Sequence, residues 1–552
     1  MISSERTSAT QSTVDGQGTS WWRGAAIYQV YLRSFADGDG DGIGDLAGAL
    51  AKLPYLAELG IDAIWFSPWY PSPMADGGYD VADYRDIEPV FGTLAQAEEF
   101  IEQAHRLGIR IIIDIVPNHC SDRHPWFAEA LAAEPGSPAR QRFWFRPGRG
   151  ADGSEPPNDW QSRFGGPAWT RVTEADGTPG EWYLHLYAAE QPDLNWTNPE
   201  VHAEFADILR FWFDRGVDGL RIDVADGLVK APGLPDVAGA NGQLPFSDLD
   251  GVHEIYRAWR RIAQEYGEDR IFVGEMWLPD PVRFARYLRP DELHSAFNFD
   301  FLSCPWEAGP LRAVIQSTVD SHAPVGAPPT WVLSNHDVTR HVTRYGRPGD
   351  TGFTFADRRH GTPVDRALGT RRARAAALLS LSLPGGAYVY QGEELGLWEI
   401  EDVPDELRED PVFARTQGAD PGRDGCRVPL PWSGQAAPFG FGPEDSVPWL
   451  PQPAEWAGHT AQAQQQDPAS MHALYRAALR LRRELPALGD GPMRWLDLGA
   501  EVLAFHRPPG FTCVVNLAAE PVALPAHERV LLASGELTEA GELPPDTAIW
   551  LA

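Results

Sequence analysis

IRIIIDIVPNH, residues 109–119, is the stretch on which the reading of this chain turns. Its front half is almost continuous isoleucine, too short for an ordinary helix and rich in β-branched side chains, so it reads as a strand buried on both faces. A strand covered on both faces belongs to a parallel sheet sheathed by helices. The run stops at Pro117, Asn118 and His119, which places polar groups at the carboxyl end of the strand. The residues leading into it, Thr93 to Gly108, have helical spacing.

The same alternation extends in both directions. Upstream lie AIYQVYLRSF (26–35), a helix carrying Leu46, Leu50, Leu53 and Leu56 with Gly60 placed to end it, and IDAIWFSP (61–68). Downstream come a helix from Pro199 to Gly216, GVDGLRIDVA (216–225), a helix over 252–266, IFVGEMW (271–277), AFNFDF (296–301), TWVLSNHD (330–337) and GAYVYQGEELG (386–396). Eight strands alternating with helical or loop sequence are the count of a (β/α)₈ TIM barrel of the α/β class. A doubly wound sheet is the competing architecture. The dinucleotide function that such a sheet most often carries is removed by the lack of a G-x-G-x-x-G after the first strand.

Breaks in the rhythm set the expected domains. Residues 1–20, rich in Ser, Thr and Gln, are expected to form a disordered N-terminal segment, with the first part of the barrel over 21–119. The stretch 120–192 is rich in Pro, Gly, Trp and Arg and far too long for a βα loop, so an inserted small domain after strand three is expected there. The second part of the barrel runs over 193–485, with its last helix from Ser470 to about Leu488. Short runs such as EVLAFHR and FTCVVNL then predict a C-terminal antiparallel β domain, a β-sandwich, over 486–552.

The bulk numbers narrow the function. A formal charge of −32 opposes a polyanionic partner such as nucleic acid and suits a neutral substrate, although acidity also serves plain solubility. Cys120, Cys304, Cys426 and Cys513 form no C-x-x-C pair, so free thiols are expected rather than a zinc site or disulfide framework. Neither a signal-peptide core nor a bilayer-length apolar run is present in the sequence, which predicts a cytoplasmic protein without membrane contact, monomeric or a small homo-oligomer.

In a barrel of this kind chemistry sits at the carboxyl ends of the strands. Asn118 and His119 end strand three, Arg221 and Asp223 lie on strand four, Glu275 on strand five, and Asn335, His336 and Asp337 end strand seven. Carboxylates in this number suit cleavage of a glycosidic bond, in which one attacks or stabilises the sugar cation and another protonates the departing oxygen. Arg221, two residues before Asp223, shares its face of the strand and can keep that carboxylate ionised. A purely structural reading makes Arg221 and Asp223 a buried ion pair, with Glu275 and Asp337 merely solvated.

The ordered motifs DIVPNH (114–119), GLRIDVA (219–225), VGEMW (273–277) and SNHD (334–337) resemble those of the α-amylase superfamily, family thirteen of the glycoside hydrolases, from Trp21 onward. The resemblance implies Asp223 as nucleophile, Glu275 as general acid and base, and Asp337 as the carboxylate holding sugar hydroxyls in the transition state. It implies His119 and His336 as hydrogen-bonding partners of the first glucose and Tyr79, in DGGYD, as its stacking aromatic. Through QPDLNW (191–196), the acidic loop 37–45 and QGEELG (391–396), the chain looks most like the oligo-(1→6)-glucosidase and α-glucosidase branch. In that branch an Asp and an Arg close the pocket beyond the terminal glucose, matching Asp76 and Arg427 here, while Phe164 and Gln191 match further pocket positions. Tyr187 stands where a Phe is common, and for Phe164 and Tyr187 the alternative is core packing of the inserted domain.

The loop DGDGDGIGD sets Asp37, Asp39, Asp41 and Asp45 among glycines, so that oxygen ligands can wrap a hard cation, with Ca²⁺ the natural candidate. Gly48 stands where an EF-hand would need its bidentate Glu, so the loop is not an EF-hand. The resemblance implies a structural Ca²⁺ here, with the carbonyl of Ile43 completing the shell; the alternative is an acidic turn without an ion.

The expected activity is therefore a retaining, exo-acting α-glucosidase that removes glucose from short α-glucosides through a covalent intermediate. An isomerase or transglycosylase, including a trehalose-forming one, would use the same intermediate with a sugar hydroxyl in place of water. A catalytically inactive barrel serving as a binding or accessory subunit would be expected to lack Asp223 or Glu275, and both are present. Linkage preference stays open, although Val224 after the nucleophile accompanies (1→6) activity in part of the branch.

Overall fold

The computed structural model describes residues 20–174, 176–238 and 242–552. Apart from Ser20, the segment expected to be disordered lies outside the described residues. The first barrel strands are β1 (Ala26–Val30), β2 (Ala63–Phe66) and β3 (Arg110–Ile115). The inserted region holds β4 (Phe145–Arg146), β5 (Trp169–Thr173) and β6 (Pro179–Leu184), and the barrel resumes with β7 (Gly219–Ile222), β8 (Ile271–Gly274), β9 (Ser295–Ala296), β10 (Thr330–Val332) and β11 (Gly386–Tyr390).

These eight barrel strands pair in the order β10-β11-β1-β2-β3-β7-β8-β9, all parallel, which is the expected (β/α)₈ architecture. Closure between β9 and β10 comes from a side chain, the Thr330 hydroxyl donating to the carbonyl of Ala296. Strand alternation divides the apolar residues between two cores. Ile27, Ala63, Trp65, Ile112, Ile271, Val273, Val332 and Tyr388 fill the barrel interior. Their neighbours Ile64, Ile111, Ile113, Leu220 and Phe272 face the helical layer.

The helices have local reasons to begin and end where they do. Leu46–Leu59 starts on Asp45, whose carboxylate accepts from Gly48 N–H, and stops at Gly60 in the left-handed region, φ +94°. Leu94–Arg106 opens with a reciprocal capping box between Thr93 and Gln96. The strands are shorter than the stretches read for them, and two show why. Val30 ends the first, and Leu32–Ser34 forms a 3₁₀ turn. Of AFNFDF only Ala296 is in a strand, Ser295–Ala296, because Asn298 accepts from Phe301 N–H and starts the helix Phe299–Ser303.

After β3 the inserted region forms a three-stranded antiparallel sheet, order β4-β6-β5, around its own core of Trp144, Trp160, Trp169 and Leu184. A bridge between His119 and Asp193 returns it to the barrel rim. Beyond the helix Met471–Glu484 lie β12 (Arg494–Leu496), β13 (Val502–Arg507), β14 (Phe511–Asn516), β15 (Val530–Ala533) and β16 (Thr547–Leu551).

Where a β-sandwich was expected, these strands make one five-stranded antiparallel sheet among the described residues. One face, with Phe505, Cys513 and Trp550, joins the main core, and Trp550 Nε1 donates to the carbonyl of Leu378 in the helix Arg366–Ser382. The other face is covered by loop residues such as Val522, Leu524 and Leu537. A barrel helix thus takes the place of a second sheet. All four cysteines are free and buried, and among the described residues no helix is long and apolar enough to cross a membrane.

Candidate active site

The parallel register sets the site. Asp114 on β3 stands opposite Arg221 on β7, and Ile222 opposite Gly274 on β8. The hydrogen-bond ladder runs one residue further on each strand, with Asp223 N–H donating to Ile115 and Glu275 N–H to Ile222, both at 2.9 Å. Asp223 and Glu275 therefore leave neighbouring strands at one height and meet above the barrel interior.

Arg221 joins the carboxylates. Its Nη1 is 2.7 Å from both Asp114 Oδ1 and Asp223 Oδ1, and its Nη2 is 3.6 Å from Glu275 Oε2. Burial pushes the Asp223 and Glu275 carboxyls up, and Arg221 opposes this at both. Arg221 lies nearer to Asp223 than to Glu275, so its charge favours the ionised form of Asp223 by the shorter contact. Asp114, in a motif the sequence displays but with no role assigned to it there, also accepts from Trp65 Nε1 and Tyr79 OH, each at 3.1 Å. Burial carries its pKa to about 6 against those donors.

His336 and Tyr79 form a second unit. The rings stack at 5.4 Å with planes 3° apart, and Tyr79 OH lies 2.7 Å from His336 Nε2. Burial lowers His336 to about 3 and His119 to about 4, so both are neutral imidazoles at ordinary pH. Burial pushes Asp337 up, but His336, Arg423, Arg427 and Arg221 hold it well below the usual carboxylate range.

The closed end of the pocket differs from the sequence expectation. Asp76 is paired with Arg423, whose Nη2 is 2.6 Å from Asp76 Oδ1 and whose Nη1 is 3.1 Å from Asp337 Oδ1. Arg427, the expected partner of Asp76, stands behind the pocket: its Nε donates to the His336 carbonyl at 2.8 Å and its Nη2 is 3.2 Å from Asp337. The two arginines lie four residues apart in RDGCR and carry the same charge, so sequence alone does not rank them. Asp410 anchors Arg423 by accepting from its Nε and its backbone N–H.

Gln191 Nε2 reaches Asp76 Oδ2 and His119 Nε2, both at 3.1 Å, tying the inserted region to the pocket. Behind His119, Lys230 Nζ bridges Asp193 Oδ2 at 2.8 Å and Asn118 Oδ1 at 2.7 Å, a buried link absent from the sequence expectation. Phe164 and Tyr187 meet edge to face at 5.3 Å and line the cavity, so they are not confined to the core of the inserted region.

The cavity above these groups measures about 860 Å³. Asp76, Tyr79, His119, His336, Asp337 and Arg423 line its closed end, and Val224, Leu244, Phe246, Trp277, Leu278 and Phe355 give it an apolar wall.

The acidic loop lies apart from this cavity's lining. Asp37, Asp39 and Asp45 bring carboxylate oxygens within 4.8 Å of one another, a donor set that fits a hard cation. Asp41, expected in the same shell, is outside that group and accepts from Ile43 N–H at 2.8 Å. Burial raises Asp45, with Asp39 and Asp37 adding to the push, as carboxylates do when their repulsion is not neutralised. The turn is tightly enclosed: Gly42 has φ +92°, and a Cβ there would run into the Val447 carbonyl.

Comparison with known proteins agrees with this geometry. Residues 29–491 match the family model described as alpha amylase, catalytic domain, and residues 497–550 match a domain of unknown function, DUF3459. A protein of Rhizobium meliloti (strain 1021) named "Probable alpha-glucosidase" is 37% identical over 531 residues, covering 91% of this chain and 90% of its own length. The structure of an alpha-glucosyl transfer enzyme superposes with a TM-score of 0.83 at 35% identity, covering 97% of this chain and 99% of that one. The trehalulose synthase of Pseudomonas mesoacidophila MX-45 gives a TM-score of 0.84 at 30% identity with the same coverage.

Proposed function

The chain belongs to the α-amylase family, and from that premise we propose that it is an exo-acting α-glucosyl-transferring enzyme in which a sugar hydroxyl and water compete for one glucosyl-enzyme intermediate. At the coarser level it is a retaining enzyme of α-glucosides, of the α-glucosidase and transglycosylase branch. In our reading Asp223 attacks the anomeric carbon while Glu275 protonates the departing oxygen; Glu275 then takes the proton of the acceptor whose oxygen displaces Asp223. Asp337, neutral His119 and His336, and the Tyr79 ring hold the glucose, and the Asp76–Arg423 pair closes its far side.

The apolar wall of the cavity carries the proposal. Val224, Leu244, Phe246, Trp277, Leu278 and Phe355 give apolar surface to a cavity lining that also carries polar and charged groups such as Arg163, Gln243, Asp248, Arg283 and Arg358. The apolar side chains offer the C–H face of an acceptor sugar a surface to stack on, and the polar ones offer its hydroxyls hydrogen-bond partners. The likeness to an alpha-glucosyl transfer enzyme and a trehalulose synthase supports transfer over the simple hydrolysis expected from sequence. Linkage and acceptor identity follow from product analysis on maltose, isomaltose, sucrose and trehalose at rising sugar concentration. New α-glucosides that overtake free glucose are expected; glucose alone at every concentration would make the enzyme a hydrolase.

We also read Asp37, Asp39 and Asp45 as the core of a structural Ca²⁺ site. When bound, the ion supplies the positive charge that lets these crowded carboxylates stay ionised together.

A further inference from the structure

Trp277 follows Glu275 by two residues, and its indole Nε1–H donates to Glu275 Oε1 at 3.2 Å. The other oxygen, Oε2, accepts from Val224 N–H at 2.8 Å. Val224 presents that N–H from a backbone with φ +47°, which a β-branched residue rarely adopts. Both oxygens of the carboxyl group are therefore engaged, one by backbone and one by the indole.

The indole is aimed by rings. It lies face to face on Phe299, centroids 4.0 Å apart and planes 9° from parallel, and meets Phe355 edge on at 5.0 Å. Trp277 is nevertheless 39% exposed at the cavity wall. Core packing does not account for a large aromatic held at that place with its N–H turned to a carboxylate.

We propose that Trp277 is a positioning residue for Glu275: its N–H fixes the plane of the carboxyl group and stabilises the ionised form. This rests on Glu275 being the acid and base of the proposed reaction. In the first step Glu275 gives its proton to the glycosidic oxygen as the C1–O bond breaks and the Asp223–C1 bond forms. In the second it recovers a proton from the acceptor hydroxyl as that oxygen replaces Asp223. The carboxylate is the product of one step and the base of the next, and it is this state that the indole N–H binds.

The other charged and titratable groups facing Glu275 are Arg221, Asp223 and Asp226 from β7 and the loop after it, Asp337 from the loop after β10, and Tyr187 from the inserted region. A change confined to Trp277 leaves all of them in place.

Trp277→Phe keeps the ring on Phe299 and removes only the donor. Loss of a donor to the charged form raises the acid's pKa, so the alkaline limb of kcat/KM should move up by about 0.5–1 pH unit. The melting temperature should hold, and kcat at the optimum should fall several-fold. Phe299→Ala, which frees the indole, should move the limb in the same direction by less.

Glu275→Gln is measured alongside. If it retains turnover, the acid and base reading fails and takes this inference with it. If it is inactive while natively folded Trp277→Phe shows an unmoved or lowered limb, the inference alone is overturned.

Discussion

Arg423 Nη2 stands 2.6 Å from Asp76 Oδ1, joining loops 347 residues apart across the closed end of the pocket. The same guanidinium reaches Asp337, so one side chain both ends the pocket and fixes a carboxylate inside it. Arg423→Ala is expected to cost about 1.5–3 kcal/mol in kcat/KM on a disaccharide, roughly 10–150-fold. It should also admit longer chains. Assay on a glucan blocked at both ends checks this: the wild type should leave it intact, and rapid internal cleavage by the wild type would refute exo action.

Asp223→Asn and Glu275→Gln should each abolish turnover while the protein keeps its fold, since each removes one partner of the covalent cycle. Neither carboxylate lies in the apolar core, so melting curves should stay close to wild type. Wild-type-like rates in either variant would remove the assignment.

Stereochemistry gives an independent check. A nucleophile and an acid/base with carboxyls roughly 5–5.5 Å apart produce two inversions, so released glucose and transfer products should first appear as α-anomers. Proton NMR during the first minutes decides the matter, and a β-anomer seen first would contradict a covalent intermediate.

Chelation should lower the melting temperature. Asp37, Asp39 and Asp45 crowd their oxygens within 4.8 Å, and an ion bound only to the folded state stabilises it by mass action. Dialysis against EDTA, metal analysis and a melting curve test this together. No bound metal and an unchanged melting temperature would leave the loop an acidic turn.

The joint between barrel and C-terminal sheet should be sensitive to Arg507. It is buried, and its guanidinium donates to the carbonyls of Ser382 at 3.0 Å, Gly489 at 2.6 Å and Gly491 at 3.1 Å. Burial lowers its pKa to about 9, with the nearby cation of Arg482 adding to the effect. Arg507→Met would strand three carbonyls and should destabilise the fold by about 2–4 kcal/mol. Denaturant unfolding monitored by tryptophan fluorescence measures it, and a loss below half a kcal/mol would show the contacts to be incidental.

What the sequence determined by itself was periodic or contiguous. Isoleucine runs identify buried parallel strands because a strand covered on both faces must be apolar at every position, as Ile111, Ile112 and Ile113 are. Motifs such as GLRIDVA set Arg221 and Asp223 on one strand face because the side-chain period is two. Only tertiary structure decided pairings between distant loops. Arg423 rather than Arg427 meets Asp76, the indole of Trp277 meets Glu275, and a barrel helix rather than a second sheet covers the C-terminal strands. Such choices depend on where loop backbones end in space. Charge and residue type are read along the chain, but two arginines four residues apart differ only in the direction in which the fold points them.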